Sequence, residues 1–142
     1  MPKVREMMTG DPESVDADAT VREAAEKMRQ IDVGAVPVIG NGRVLGIVTD
    51  RDITVRVIAA NRRPGEVRVR EIASADVVTT TPDAEMAEAT ALMAQHQIRR
   101  LPVVEDGRLV GMLSLGDLSV DGSTRDAGRA LREISTPAEP ER

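Results

Sequence analysis

Apolar residues between positions 21 and 31 fall three and four apart: Val21, Ala24, Ala25, Met28 and Ile31. That spacing gives a helix with one apolar face. Asp18 or Thr20 caps its start, and Glu23 stands at capping-box distance from Thr20. The period then changes. Residues 36–39, Val-Pro-Val-Ile, read as a short strand, and Asn41-Gly42 is a hairpin signal of the type I′ kind. Residues 44–48 read as the returning strand, continuous enough in apolar residues for burial on both faces. Asp50 or Asp52 starts a second helix running to about Ala59. Ahead of all this, 4–8 reads as a short helical turn leading into a brief extended segment at Ser14-Val15.

The same plan returns 65 positions later. Pro82-Asp83 opens a helix carrying Met86, Ala89, Leu92 and Met93; residues 101–104 and 109–113 read as strands around the turn Asp106-Gly107. Val-Arg-Glu at 4–6 recurs at 69–71, Asp18-Ala19 as Asp83-Ala84, Pro37-Val38 as Pro102-Val103, and Gly42-Arg43 as Gly107-Arg108. From position 4 to 53, about sixteen of fifty aligned pairs are identical without a gap, which marks a duplicated supersecondary unit. The chain divides into a first repeat at 1–60, a connector at 61–68 with its Arg-Arg-Pro-Gly, and a second repeat at 69–120. Residues 121–142 read as a polar helix over 124–134 followed by a frayed tail.

At 142 residues the chain suits one compact unit or two small ones sharing a core. A net charge of −5 disfavours nucleic-acid or anionic-membrane binding. Cysteine is absent, which excludes disulfides, thiolate metal sites and thiol catalysis and suits a reducing cytosol. No signal-like or membrane-length apolar run occurs, so a cytoplasmic location is expected. Phe, Trp and Tyr are all missing. The core must be built from Val, Ile, Leu, Met and Ala, and a bound base would be gripped by aliphatic side chains and backbone rather than stacked on a ring.

Both repeats end their second strand alike: GIVTDRDI at 46–53 and GMLSLGDL at 111–118. In one copy, the hydroxyl and aspartate are explained as a helix cap and a first-turn acid complementing the dipole. Two copies in register suggest more, because a carboxylate there can accept hydrogen bonds from the adjacent hydroxyls of a ribose. Two β-α-β-β-α units with an x-Pro-Val strand and a Gly-h-h-Thr/Ser-x-x-Asp ending resemble tandem CBS domains, the cystathionine-β-synthase type, over roughly residues 4–120. More narrowly, the chain is similar to stand-alone actinobacterial two-domain proteins of the hypoxic-response type.

The resemblance implies an α/β fold, with the two repeats related by pseudo-twofold symmetry and packed sheet to sheet. It implies a regulatory module binding an adenosine-containing ligand (AMP, ADP, ATP, S-adenosylmethionine or NAD class) in two clefts between the repeats, with no cofactor required. The first cleft would combine Asp11, Pro12 and Val33 with Arg99, Arg100, Met112, Ser114 and Asp117. The second would combine Ile47, Thr49, Arg51 and Asp52 with Asp76, Val77 and Ile98. Gly34 and Ala35 stand where the other repeat has Arg99 and Arg100, so the first cleft is expected to be the better nucleotide site, with Arg51 the substitute cation in the second. The family also implies a homodimer and a separate effector protein.

Blander roles compete. Arg99 and Arg100 also suit a solvated strand start, and Arg62-Arg63 a solvated turn. His96, the sole histidine, suits a cap-like place at a helix end, and with no cysteine a transition-metal site is not expected. Asp50 with Asp52 resembles a metal-binding acidic pair, but Arg51 between them and the missing second copy argue against it. The methionines suit core packing, with Met7 and Met8 candidates for an interface. No nucleophile–base pairing is visible, so catalysis is not expected. The competing reading is a ligand-free dimerisation or protein-interaction module, in which the two aspartates persist as helix caps.

Overall fold

A computed structural model of the chain describes residues 2–116. The expected 124–134 helix, the tail and Asp117 lie outside the described residues. The elements in order are α1 (Val4–Met7), β1 (Thr9–Gly10), β2 (Val15–Asp16), α2 (Val21–Ile31), β3 (Ala35–Gly40), β4 (Arg43–Thr49), α3 (Asp50–Ile53), α4 (Val69–Ile72), α5 (Met86–His96), β5 (Arg100–Glu105) and β6 (Arg108–Ser114). A π-helical turn, Thr54–Ile58, continues α3. The architecture is α/β, with two three-stranded sheets ordered β2-β3-β4 and β1-β6-β5.

Two compact units result, and they do not follow the repeat boundaries of the sequence. The N-unit contains residues 13–77 together with 107–109; the C-unit contains, of the described residues, 2–12, 78–106 and 110–116. The first dozen residues therefore belong with the sheet of the second repeat, where Thr9 pairs with Met112 and Gly10 with Gly111. The matching piece of the second repeat belongs with the first, through an antiparallel bridge between Ile47 and Ser74.

The duplicated tripeptide explains this exchange. Val4 and Val69 are fully buried, each in the core of its unit. Val4 N–H donates to the Ala84 carbonyl and Val69 N–H to that of Ala19. Arg5 places Nε and Nη2 on Asp83 Oδ1 at 3.1 and 2.7 Å, and Arg70 does the same to Asp18 Oδ1 at 2.8 and 2.7 Å. Glu6 and Glu71 turn back to accept the N–H groups of Lys3 and Arg68, closing each turn. Val-Arg-Glu and Asp-Ala recur because they dock on one another, crosswise between the repeats.

That docking moves one helix start. Thr20 caps α2 as expected, accepting Glu23 N–H while Glu23 accepts Thr20 N–H. In the second repeat the position is Glu85, which makes no side-chain cap bond, and α5 begins at Met86 rather than at Pro82-Asp83. The Asp83 side chain is taken by Arg5, and the Pro82 carbonyl accepts Arg5 N–H. The helix also ends differently from expectation: the left-handed C-cap is Gln97, with His96 in the last turn before it.

Both hairpins are of the expected I′ kind, with positive φ at Asn41 and Gly42 and at Asp106 and Gly107. The β4 strand departs from the sequence reading. Gly46 and Val48 are buried but Leu45 is 47% exposed, so burial alternates along the strand rather than covering both faces. The N-unit core gathers Val15, Val21, Met28, Val36, Val38, Val48, Val57 and Ile72; the C-unit core gathers Val4, Met86, Met93, Leu101, Val103 and Leu113. Met7 and Met8 are partly buried and pack against that second core. Arg62 pairs with Glu71 at 2.8 Å rather than facing solvent alone.

The Arg5 hydrogen bond and charge hold the Asp83 carboxyl below its ordinary value. The backbone N–H of Arg68, followed by Arg62, does the same for Glu71. A carboxylate lowered on folding stabilises the native state at pH values above its unfolded pKa. That contribution is lost as pH falls from about 4 toward the lowered native value. Thermal melts across that acid range should show Asp83→Asn with a shallower loss of Tm than wild type. Equal slopes would mean the crosswise ion pair contributes nothing to acid sensitivity.

Candidate functional site

In the N-unit, the end of β4 runs directly into α3. Thr49 is the N-cap: its Oγ1 accepts Asp52 N–H at 3.0 Å, and Asp52 Oδ2 accepts Thr49 N–H at 2.9 Å. The helix start expected at Asp50 or Asp52 is thus fixed by the threonine, because the box places Asp52 at the third helical position. The Asp52 side chain is only 15% exposed. Its Oδ1 accepts no hydrogen bond among the described residues, and the nearest cation is Arg56 Nε at 4.0 Å. The box therefore occupies one carboxylate oxygen and leaves the other without a hydrogen bond among the described residues.

The lead-in segment reaches the same strand from the other repeat. Ile47 and Ser74 exchange backbone hydrogen bonds of 2.9 Å in both directions. The approach needs glycine: a Cβ at Gly46 would run into the Ser74 carbonyl oxygen, and one at Gly111 would run into Met8 Sδ and meet Thr9 O at 3.2 Å. The glycine of each motif is explained by this close passage. Beyond the bridge, the antiparallel course carries Asp76 and Val77 away from Thr49, so a molecule touching both ends would lie along the strand. Val77 N–H closes a tight turn onto the Ala75 carbonyl at 2.9 Å. At the equivalent position Pro12 has no N–H to give, and Asp11 instead adopts a positive φ of 47°.

The C-unit repeats the frame with different chemistry. Asp11 and Pro12 follow β1, Met112 and Ser114 lie on β6, and Arg99 and Arg100 stand at the start of β5. Leu115 N–H donates to the Arg99 carbonyl at 2.8 Å, as Asp50 N–H donates to Gly34 at 2.9 Å in the N-unit. Both arginines are exposed, and among the described residues neither guanidinium has an ion pair. In the N-unit the equivalent ground is acidic: a Cβ on Gly34 would stand 3.0 Å from Asp50 Oδ2. Arg51 is exposed, and its backbone N–H donates to Asp50 Oδ1 at 2.8 Å.

The residues expected for the first cleft thus fall in the C-unit, except Val33, which belongs to the N-unit; Asp117 is outside the described residues. Those expected for the second fall in the N-unit, except Ile98, which belongs to the C-unit. Sequence reasoning missed Arg56, although its i,i+4 spacing from Asp52 was a usable signal. It also missed Ser74 and Thr9, whose importance lies in backbone contacts that carry no residue signature.

This geometry has close relatives. The CBS domain family model matches residues 4–58 and again 69–120. The chain belongs to the CBS domain family. Tandem CBS domains are regulatory modules. A curated relative, the CBS domain-containing protein YhcV of Bacillus subtilis, is 44% identical over 136 residues, covering 95% of this chain and 96% of that one. The crystal structure of Hypoxic Response Protein I with two coordinated zinc ions superposes with a TM-score of 0.78 at 32% identity, covering 84% of this chain and 98% of that one. A hexameric CBS-CP12 protein from bloom-forming cyanobacteria superposes with a TM-score of 0.71 at 27% identity, covering 89% and 74%. Among the described residues, no helix is long and apolar enough to cross a membrane.

The two motif glycines should behave unlike other glycines. Gly46→Ala puts a methyl group against the Ser74 backbone and should cost about 1–3 kcal/mol in denaturant melts. Gly10→Ala meets nothing within 4 Å and should be close to neutral. A neutral Gly46→Ala would show that the lead-in segment does not need the close approach.

Proposed function

We propose that the chain is a regulatory sensor that binds an adenosine-containing ligand of the AMP, ADP, ATP, S-adenosylmethionine or NAD class. The observation that carries this reading is the Asp52 carboxylate. One of its oxygens is fixed by Thr49 N–H, and the other, on a mostly buried side chain, has no hydrogen bond among the described residues. Such a group accepts from two neighbouring hydroxyls, as on a ribose, at little cost in reorganisation. Ser114 and Asp117 occupy the same sequence places in the second repeat. Ile47 and Val77 in one set, and Met112 in the other, supply aliphatic surface for a base in a chain that has no aromatic residue.

The two half-sites differ in charge, and this sorts their ligands. Arg99 and Arg100 favour phosphates at the C-unit half-site, whereas Asp50 beside Gly34 repels them in the N-unit, with exposed Arg51 as partial compensation. Binding would act through a change of conformation read by an effector protein, without catalysis. The zinc named for the hypoxic-response relative does not carry over to this chain on its residue chemistry. The chain has one histidine and no cysteine, and among the described residues no three His, Cys, Asp or Glu side chains group as a metal site.

A second reading is an assembly module. Val55 and Ile58, on the π-helical turn, are 49% and 59% exposed, an apolar pair suited to burial in a homodimer. In this reading the half-sites bind no ligand, so ligand binding decides between the two.

Purified protein lacks aromatic absorbance, so a copurified adenine would dominate its near-ultraviolet spectrum, and mass spectrometry after denaturation would name it. A ligand added at 100 times its dissociation constant should contribute about 2.7 kcal/mol. That corresponds to a rise in Tm of about 2–8 °C. Asp117→Ala should abolish the C-unit share of binding, and Arg100→Ala should weaken AMP about tenfold while sparing adenosine. A blank spectrum together with a flat thermal panel of adenine nucleotides would leave the assembly module as the function.

A further inference from the structure

Among the described residues, the Arg56 side chain reaches toward both the candidate ligand group and the segment delivered by the other repeat. It projects from the π-helical turn, where Ala59 N–H bonds the Thr54 carbonyl and Arg62 N–H bonds that of Val57, each five residues back. Its Nε lies 4.0 Å from Asp52 Oδ1. Its Nη1 donates to the carbonyl of Ile72 at 2.7 Å in a partly buried contact. Ile72 is the last residue of α4, and its carbonyl is one of those that a helix end leaves without an internal partner. Two residues later Ser74 makes its paired bonds with Ile47, and Asp76 and Val77 follow.

We infer that Arg56 is a positioning residue: held toward Asp52 on one side, it anchors the end of α4 on the other and so couples Asp52 to the 73–77 segment. A guanidinium suits this because its rigid fork serves two acceptors at once; a lysine is a single flexible point charge. The contact at Asp52 is long, so hydroxyls bound to Oδ1 compete for the same oxygen or draw Nε toward it. Either change is felt at Ile72 through one rigid group. The repeat does not duplicate the device, since the position 65 residues on is Asp121 in the sequence. The coupling is therefore a property of this half-site's own chemistry and not of the duplicated fold. It rests on the proposed nucleotide reading only in its ligand-bound arm.

Amide hydrogen exchange at Ser74 and Ile47 reads the coupling directly, because each amide is bonded to the other residue's carbonyl. In ligand-free protein, Arg56→Met should speed exchange at both by about tenfold, a typical size for coupling between sites. Amides in the core of α2 should be much less affected. Asp52→Asn, which keeps an oxygen for the Thr49 cap but loses the charge, should speed them in the same sense. The double variant should show less than the sum of the two effects. Arg56→Lys should restore them only in part. Saturating AMP should change exchange at both amides in wild type and not in Arg56→Met.

Unchanged exchange at Ser74 and Ile47 in ligand-free Arg56→Met overturns the inference. So does an equal acceleration of every amide, which would make Arg56 a general stabiliser. If the ligand-free effects appear and AMP binds neither protein, the coupling stands and the nucleotide reading fails.

Discussion

Everything else in the molecule depends on the crosswise docking of two Val-Arg-Glu turns. Each turn buries a valine, donates a backbone hydrogen bond to an alanine carbonyl and places an arginine on the aspartate beside it, in the unit built on the other repeat's helix and hairpin. The ion pairs themselves are exposed and individually weak. Their value is in register: valine burial drives the contact, and the hydrogen-bonded arginine fixes where the turn sits. Neither unit is made from one repeat alone.

From that docking follows the position of each lead-in segment. Thr9 arrives at Met112 and Ser74 at Ile47, over glycines where a Cβ would strike the Ser74 backbone at Gly46 and the Met8 side chain at Gly111. The strand carrying each glycine then ends at a hydroxyl residue, and in the N-unit this is a capping box that orients an aspartate. Fold and candidate site are thus consecutive consequences of one docking arrangement, with helix capping and site geometry sharing the same hydrogen bonds. An oriented carboxylate costs the protein nothing extra, because the helix start already requires it.

Duplication supplied two frames, and substitution has since made them different. Gly34 and Ala35 against Arg99 and Arg100, Asp50 against Leu115, Arg56 against Asp121, and Pro12 against Val77 change charge and backbone conformation without altering strand pairing. Of those that the structure describes, most lie at strand ends and in turns, where substitution is tolerated better than in the core; Leu115 is an exception that packs against the C-unit core. Thr80 apart, the buried core positions of the described residues are Val, Ile, Leu, Met and Ala, as a core without aromatic rings demands.

The sequence by itself determined the repeat, the helices with three-and-four apolar spacing, both Asn-Gly and Asp-Gly hairpins and the paired glycine–hydroxyl–aspartate motifs. Each is written in local residue chemistry: periodicity, positive φ, and a cap three residues from its partner. It could not decide that α5 starts at Met86, that Met7 and Met8 serve the core, that Leu45 stays half exposed, or that Arg56 joins Asp52 to Ile72. Those outcomes depend on which segment of one repeat lies against the other. A sequence states its neighbours along the chain, whereas partners 50 or 78 residues away, such as Arg68 with Asp18 and Arg5 with Asp83, are chosen only when the folded backbone brings them together.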